Sequence, residues 1–309
     1  MTRPSVVVGV DGSDMSLRAV LWAADEAAVH GLPLRVVHVS GRAGDANAAR
    51  TGRRSPERAR AERVVETAAE RARRHRPRTE VSAELLPGDP VSVLLREGRG
   101  AGALVVGERG IGAVAGLLLG SVGAAVTASA PCPVVVVRGD GADSGAARGR
   151  ILLGVAEPED GPAVRFAFHE TAARDCVLDA VHAWRCPPGD RADHPRVAGE
   201  PHLYCKARAA TLIDHAVARS VRDHPAVRLR SAAVEGTATE VLVRCSAAAD
   251  LIVVGTHRRR TRLGSPLGRV ARTLLHHADC PVAVVPPEAR PGGGPFHPPR
   301  PAAGPGADG

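Results

Sequence analysis

Rings are scarce in this sequence: two Trp, one Tyr and three Phe among 309 residues. Proteins that hold single-stranded nucleic acid stack bases on aromatic side chains, so that class is not expected. Lysine is scarcer still, with Lys206 the only one. A P-loop would lack its phosphate-reaching amine and a Schiff-base enzyme its nucleophile. Cys132, Cys176, Cys186, Cys205, Cys245 and Cys280 form no C-x-x-C pair, and this scatter predicts reduced thiols in the cytoplasm. Neither G-x-S-x-G nor H-E-x-x-H occurs, so two hydrolase signatures are missing. No secretory leader is read, because Met1–Pro4 runs straight into the apolar Val6–Val10.

What the chain does have is apolar and basic. It is 44% hydrophobic and 24% charged, enough for buried cores and too apolar for wholesale disorder. The length suggests two domains. The net charge of +8 comes almost wholly from arginine, which reads as codon bias in the source genome; nucleic acid and membrane surfaces are not the expected partners. One stretch imitates a membrane span, because no charge lies between Arg109 and Arg138. It is interrupted by Gly112, Gly116, Gly120, Gly123, Pro131 and Pro133.

The chain repeats itself. Leu104-Val-Val-Gly107 matches Ile252-Val-Val-Gly255, and Cys132-Pro-Val matches Cys280-Pro-Val. Gly88, Gly107, Gly116, Gly120 and Cys132 each recur 148 positions later. Nearer the start, Gly9 answers to Gly154 and His38 to His182. Two homologous domains are expected, 1–140 and 150–286, joined by a linker around Gly139–Gly149. A Pro/Gly-rich tail, 287–309, is expected to be disordered. The repeat also removes the membrane reading, since the second copy of the uncharged stretch carries Arg258, Arg259, Arg260, Arg262, Arg269 and Arg272.

Each half alternates strand and helix. Val6–Val10 is a short continuous apolar run, the pattern of a strand buried on both faces. Ser13 caps a helix with an apolar stripe of Leu17, Val20, Leu21, Ala24 and Ala28, closing at Gly31. Leu34–Val39 is a strand, and Pro56–His75 a helix with Val64, Val65, Ala68 and Ala72 inward and its arginines in solvent. Val81–Leu86 is a third strand, with Asp89-Pro90 starting the next helix. Leu104–Gly107, a helix from Ser121, and Val134–Val137 complete the unit. The second half repeats this from Ile151–Val155 to Val282–Val285, with a polar insertion around Arg185–His202. The fold class is α/β: two homologous five-stranded parallel sheets with helices on both faces. Val134–Val137 and Val282–Val285 would each leave an apolar edge. The two edges are expected to pair, giving an internal pseudo-dimer.

Chemistry concentrates after the fourth strand, where Gly107-Glu-Arg-Gly110 is followed nine residues later by Gly120-Ser121. Glycine lets backbone approach a ligand closely, and a helix start presents N–H groups to phosphate. Ser121 is read as adding a hydroxyl at the N-cap. Open parallel sheets bind ligands beyond the carboxyl ends of their strands, where both Gly107 and Asp11 fall. Plain turns would also account for the glycines.

Val8-Gly-Val-Asp-Gly-Ser13, the G-x2-G-x9-G-S spacing and Pro131-Cys-Pro-Val-Val-Val resemble the universal stress protein family over nearly the whole chain. The resemblance implies a Rossmann-like adenine nucleotide-binding fold and ATP, with or without Mg, as cofactor. It implies Val10, Asp11 and Val39 near adenine, Val106 and Gly107 beside the nucleoside, and Gly110, Gly120, Ser121 and Val122 at the phosphates. The second half departs from this pattern: Ala156 replaces Asp11, Arg258 replaces Gly110 and Arg269 replaces Ser121.

No catalytic residue and no metal-ligating set is predicted. His182, Cys186, His202 and Cys205 lack the tight paired spacing of structural zinc sites and are read as surface or loosely buried residues. Cys132 and Cys280 are read as packed thiols. The expected protein is a cytoplasmic ATP-binding stress-response or signalling protein without fast catalysis, its nucleotide in the first half, with a regulatory protein as a further partner. The alternatives are a nucleotide-independent interaction module and a slow ATPase or phosphotransferase.

Overall fold

A computed structural model of the chain describes residues 4–41, 55–110, 119–138, 148–157, 161–186, 201–256 and 267–287. In the first half, strands β1 (Ser5–Val10), β2 (Leu34–Ser40), β3 (Val81–Pro87), β4 (Ala101–Gly107) and β5 (Val134–Val137) alternate with helices α1 (Asp14–His30), α2 (Pro56–His75), α3 (Pro90–Glu97) and α4 (Ser121–Ser129). The second half repeats the series. Its strands are β6 (Arg150–Gly154), β7 (Val177–Trp184), β8 (Arg228–Glu235), β9 (Leu251–Gly255) and β10 (Val282–Val285). Its helices are α5 (Pro162–Arg174), α6 (Pro201–Asp223), α7 (Ala238–Ser246) and α8 (Arg269–His277).

Local sequence explains where these elements start and stop. Ser13 accepts a hydrogen bond from the Ser16 N–H and so caps α1; Gly31, at φ 62°, ends it. Ser55 caps α2, whose first residue is Pro56 and whose buried face is Ala61, Val65, Ala68, Ala69 and Ala72. Asp89 caps α3 through the Ser92 N–H. β4 begins earlier than its apolar run suggests, at Ala101, because Gly100 and Gly102 hide the pattern there. Among the described residues no helix is long and apolar enough to cross a membrane. The uncharged stretch instead supplies α4 and β5. The interdomain linker, the tail beyond 287, and most of the Arg185–His202 insertion lie outside the described residues.

The ten strands form one sheet, in the order β3-β2-β1-β4-β5-β10-β9-β6-β7-β8. Pairing is parallel within each half. It is antiparallel at the junction, where Val282, Ala283 and Val284 face Val136, Val135 and Val134. Val135 and Ala283 are repeat equivalents and face each other, so a pseudo-twofold axis passes between them. The expected internal pseudo-dimer is therefore present. All eight residues of β5 and β10 are at most 1% exposed, and burial stabilises each valine by roughly 1.5–2 kcal/mol.

Helices α1, α2, α5 and α6 cover one face of the sheet in a single core that includes Val20, Ala68, Phe168 and Ile213. The other face packs α3, α4, α7 and α8 through Leu94, Val126, Leu242 and Leu274. Both cores run across the junction. The sheet's free edges, β3 and β8, are largely half-buried or exposed and carry Glu84, Arg228, Arg230 and Glu235, charge that discourages further strand pairing. Because β5 and β10 are antiparallel, the carboxyl ends of the first half's strands lie beside the amino ends of the second half's.

Candidate functional site

At the carboxyl end of β1 the chain turns through Asp11-Gly12-Ser13, with Gly12 at φ 89°. The Asp11 Oδ1 accepts from the Ser13 N–H at 3.0 Å and from the Ser13 hydroxyl at 2.6 Å. That hydroxyl oxygen in turn accepts from the Ser16 N–H. The turn that starts α1 thus also aims the Asp11 carboxylate.

The glycines of the motif have different reasons for being glycine. At Gly107 a Cβ would sit 2.8 Å from the Met15 carbonyl carbon and oxygen, so the first turn of α1 leaves no room for one. At Gly110 a Cβ would overlap the Asp11 carboxylate, which joins the ends of β1 and β4 at one point. Gly120 is unlike both. Its backbone is ordinary, at φ −64° and ψ 149°, and the nearest atoms to a Cβ there would be 3.8 Å away.

Gly120 is also the N-cap of α4, and no side chain caps that helix. This corrects the sequence reading of Ser121, which is the first helical residue rather than the cap. Glycine can take the half-extended cap position itself, which moves the serine one place inward. The consequence favours an anion: N–H groups of the first turn receive no side-chain oxygen, and the helix dipole is positive there.

These pieces enclose a cavity of about 480 Å³, within the range of small-molecule sites. All nine residues read from the sequence line it: Val10, Asp11, Val39, Val106, Gly107, Gly110, Gly120, Ser121 and Val122. Sequence reasoning missed Gly9, Ser16, His38, Leu94, Arg109 and Leu119, which also line it. His38 was the findable one, because it recurs as His182. Each imidazole donates from Nδ1 to the carbonyl at the end of the neighbouring strand, His38 to Val10 at 2.7 Å and His182 to Val155 at 2.8 Å.

The loop after β4 is braced from the other half of the molecule. Glu108, only 4% exposed, donates its N–H to the Val137 carbonyl and accepts at its carbonyl from the Gly120 N–H. Its carboxylate lies 3.1 Å from Arg109 and 3.5 Å from Arg138. The buried Arg138 guanidinium also donates to the carbonyls of Leu275, His276 and Ala278 at the carboxyl end of α8. A cation is favoured at a helix carboxyl end, so Arg138 ties the loop carrying Gly107 and Gly110 to the second half.

The second half lacks this construction. Ala156 stands in place of Asp11 and Thr256 in place of Glu108. Arg269 opens α8 as an exposed residue, after an N-cap Gly268 with open space around it. Arg258 lies outside the described residues. The cysteines need a correction here: Cys186, just after β7, and Cys205, on α6, form a disulfide with Cα atoms 5.9 Å apart. The neighbouring His202 stacks edge-on to Trp184 and bonds Glu235. A pairing across a 19-residue separation is invisible to local spacing. Cys132 and Cys280 are packed thiols as read, and burial pushes both up to about 12.

The universal stress protein family matches residues 2–138 and again 147–286. A universal stress protein of Mycobacterium tuberculosis is 32% identical over 306 residues, covering 92% of this chain and 99% of its own length. Another from the same organism is 33% identical over 275 residues, 85% of this chain and 93% of that one. The crystal structure of a universal stress protein from Archaeoglobus fulgidus agrees in fold, with a TM-score of 0.66 at 18% identity over 93% of this chain and 99% of that chain. With both halves matched and relatives aligned along nearly the full length, this chain belongs to the universal stress protein family, as a tandem of two such domains.

Proposed function

We propose that the chain is a stress-response or signalling protein that holds one adenine nucleotide, ATP with or without magnesium, in its first half and does not turn it over quickly. One observation carries this reading: the nine motif residues, drawn from β1, β2, β4 and α4, line a single cavity at the carboxyl ends of the strands. That cavity ends on a helix start with no side-chain cap. Apolar Val10, Val37, Val39 and Leu94 suit a base, and Gly110, Gly120 and Ser121 suit phosphate. Magnesium bound with ATP would neutralise phosphate charge. Asp11 would be the carboxylate that holds it, and Gly120 to Gly123 would offer backbone N–H groups to the phosphates.

The same residues support retention rather than hydrolysis. The lining contains no lysine, and its carboxylate, Asp11, is engaged by the two groups of Ser13. Calorimetric titration with ATP, paired with mass spectrometry of nucleotide co-purifying with the protein, tests the reading. One site per chain is expected. Two equivalent sites, or none, would overturn it.

A further inference from the structure

The two halves also meet where α1 crosses α5, and a buried cluster of four ionisable side chains lies at that crossing. Glu26 and Glu170 are repeat equivalents, as are His30 and Arg174. Both glutamates are fully buried and His30 is 8% exposed. Arg174 takes the outer oxygens, donating to Glu26 Oε2 and, at 3.2 Å, to Glu170 Oε2. The inner oxygens turn toward His30: its Nε2 lies 3.0 Å from Glu170 Oε1 and 3.5 Å from Glu26 Oε1.

Three features of this cluster point to a cation. Glu26 Oε1 is buried without a hydrogen-bond partner, and an orphaned buried carboxylate oxygen is costly. The three inner atoms lie within 4.8 Å of one another, while ligands around a tetrahedral zinc, each roughly 2.0–2.1 Å from the metal, are separated by about 3.3 Å. Arg174 holds the outer oxygens as second-layer partners of metal ligands do, fixing which oxygens point inward. The asymmetry is informative as well. At the equivalent position the second half has an arginine, which cannot ligate a metal, whereas the first half has an imidazole, which can.

We propose that Glu26, His30 and Glu170 form a zinc site that ties α1 to α5 across the pseudo-twofold axis. An imidazole with two carboxylates suits zinc better than magnesium or calcium, which take oxygen donors in larger number. Water fills the fourth position. On binding, Zn2+ replaces the Nε2 proton that the His30 imidazolium directs at Glu170 Oε1, so one proton leaves for each ion that enters. The ligands are too far apart in the chain for any spacing motif to reveal them.

The test uses the full chain, stripped with a chelator and titrated with zinc chloride, in parallel with His30→Arg. That variant copies the second half's residue, keeps a cation between the glutamates and removes the only nitrogen ligand. Wild type is expected to bind one zinc ion more than His30→Arg, with micromolar or tighter affinity, and its melting temperature is expected to rise with zinc by several degrees more. Magnesium chloride at the same concentration is expected to leave both melting temperatures unchanged. If His30→Arg does not fold, His30→Gln takes its place with the same readouts. Equal zinc stoichiometry and equal melting shifts in wild type and variant would overturn the proposal, as would failure of the wild type to bind zinc.

Discussion

The two halves share a chain path but not a division of labour. Both end β1 or β6 against a histidine that caps the neighbouring strand, and both place a cysteine-proline turn before the junction strand. They diverge at the carboxyl ends of the strands. The first half has Asp11 held by Ser13, the buried Glu108 that braces the loop after β4, and Ser121 in the first turn of α4; the uncapped glycine before that helix is common to both halves, as Gly120 and Gly268. The second half has Ala156, Thr256 and Arg269 at the corresponding positions. What both copies retain serves the sheet and its helix starts, and what only one retains lies in or behind the cavity proposed to hold a nucleotide. A duplicated fold thus separates residues that both copies use for packing from residues that one copy alone places around its cavity.

The most damaging test of this separation is at the junction. Val135→Asp places a charge opposite Ala283, where both residues are fully buried. We expect a loss of about 4 kcal/mol or more, read as a collapse of the urea midpoint. If the halves unfold in separate transitions with the second untouched, they are independent units after all. Next, Gly110→Arg imports a second-half residue into the first-half site. Its Cβ collides with the Asp11 carboxylate, so ATP affinity is expected to fall at least about 100-fold, or 2.7 kcal/mol, with an unchanged circular dichroism spectrum. Retained affinity by calorimetry would show that the loop does not distinguish the halves.

Arg138→Met removes the bridge between them. It leaves Glu108 buried beside Arg109 alone and three α8 carbonyls without their donor, a loss of about 2 kcal/mol by chemical denaturation. A melt like that of wild type would make the bridge ornamental. Gly120→Ala and Gly268→Ala compare the two cap glycines directly. Neither meets protein atoms closer than 3.8 Å, so both should leave stability within about 0.5 kcal/mol. Only Gly120→Ala should weaken ATP binding, by about tenfold. The smallest contrast is between Cys132 and Cys280. Their thiols, raised to about 12 by burial in both halves, hold almost no thiolate at pH 9. Neither should react with an alkylating reagent in native protein, and labelling of one before the other would reveal unequal packing.

Much of this architecture was legible because its signals are local. The stripe of Val65, Ala68 and Ala72 announces α2, Ser13 and Gly31 bracket α1, and the valine runs announce strands buried on both faces. The nine cavity residues were legible through family resemblance; spacing alone left turns as a competing account. The parts that escaped notice depend on chain folding back on itself. Ser121 looks like a cap until the backbone of Gly120 is seen to take that place. Cys186 and Cys205 meet only when α6 packs beside β7. Glu26 and Glu170 lie on two separate helices, and nothing local in the sequence says that these helices cross.

The antiparallel junction has a consequence for how another molecule can approach. In a symmetric pair of identical domains, rotation about the twofold exchanges the two ends of the sheet, so a visitor finds the same surface at either end. Here the exchange fails. One end carries the glycine loop of the first half flanked by the carboxyl end of α8; the other carries Ala156, Thr256 and Arg269. The molecule therefore has a direction, a front and a back, written into a scaffold that is otherwise its own rotated copy. A surface that recognised the occupied cavity would bind it once and in one orientation, and the opposite end would remain available to a different contact.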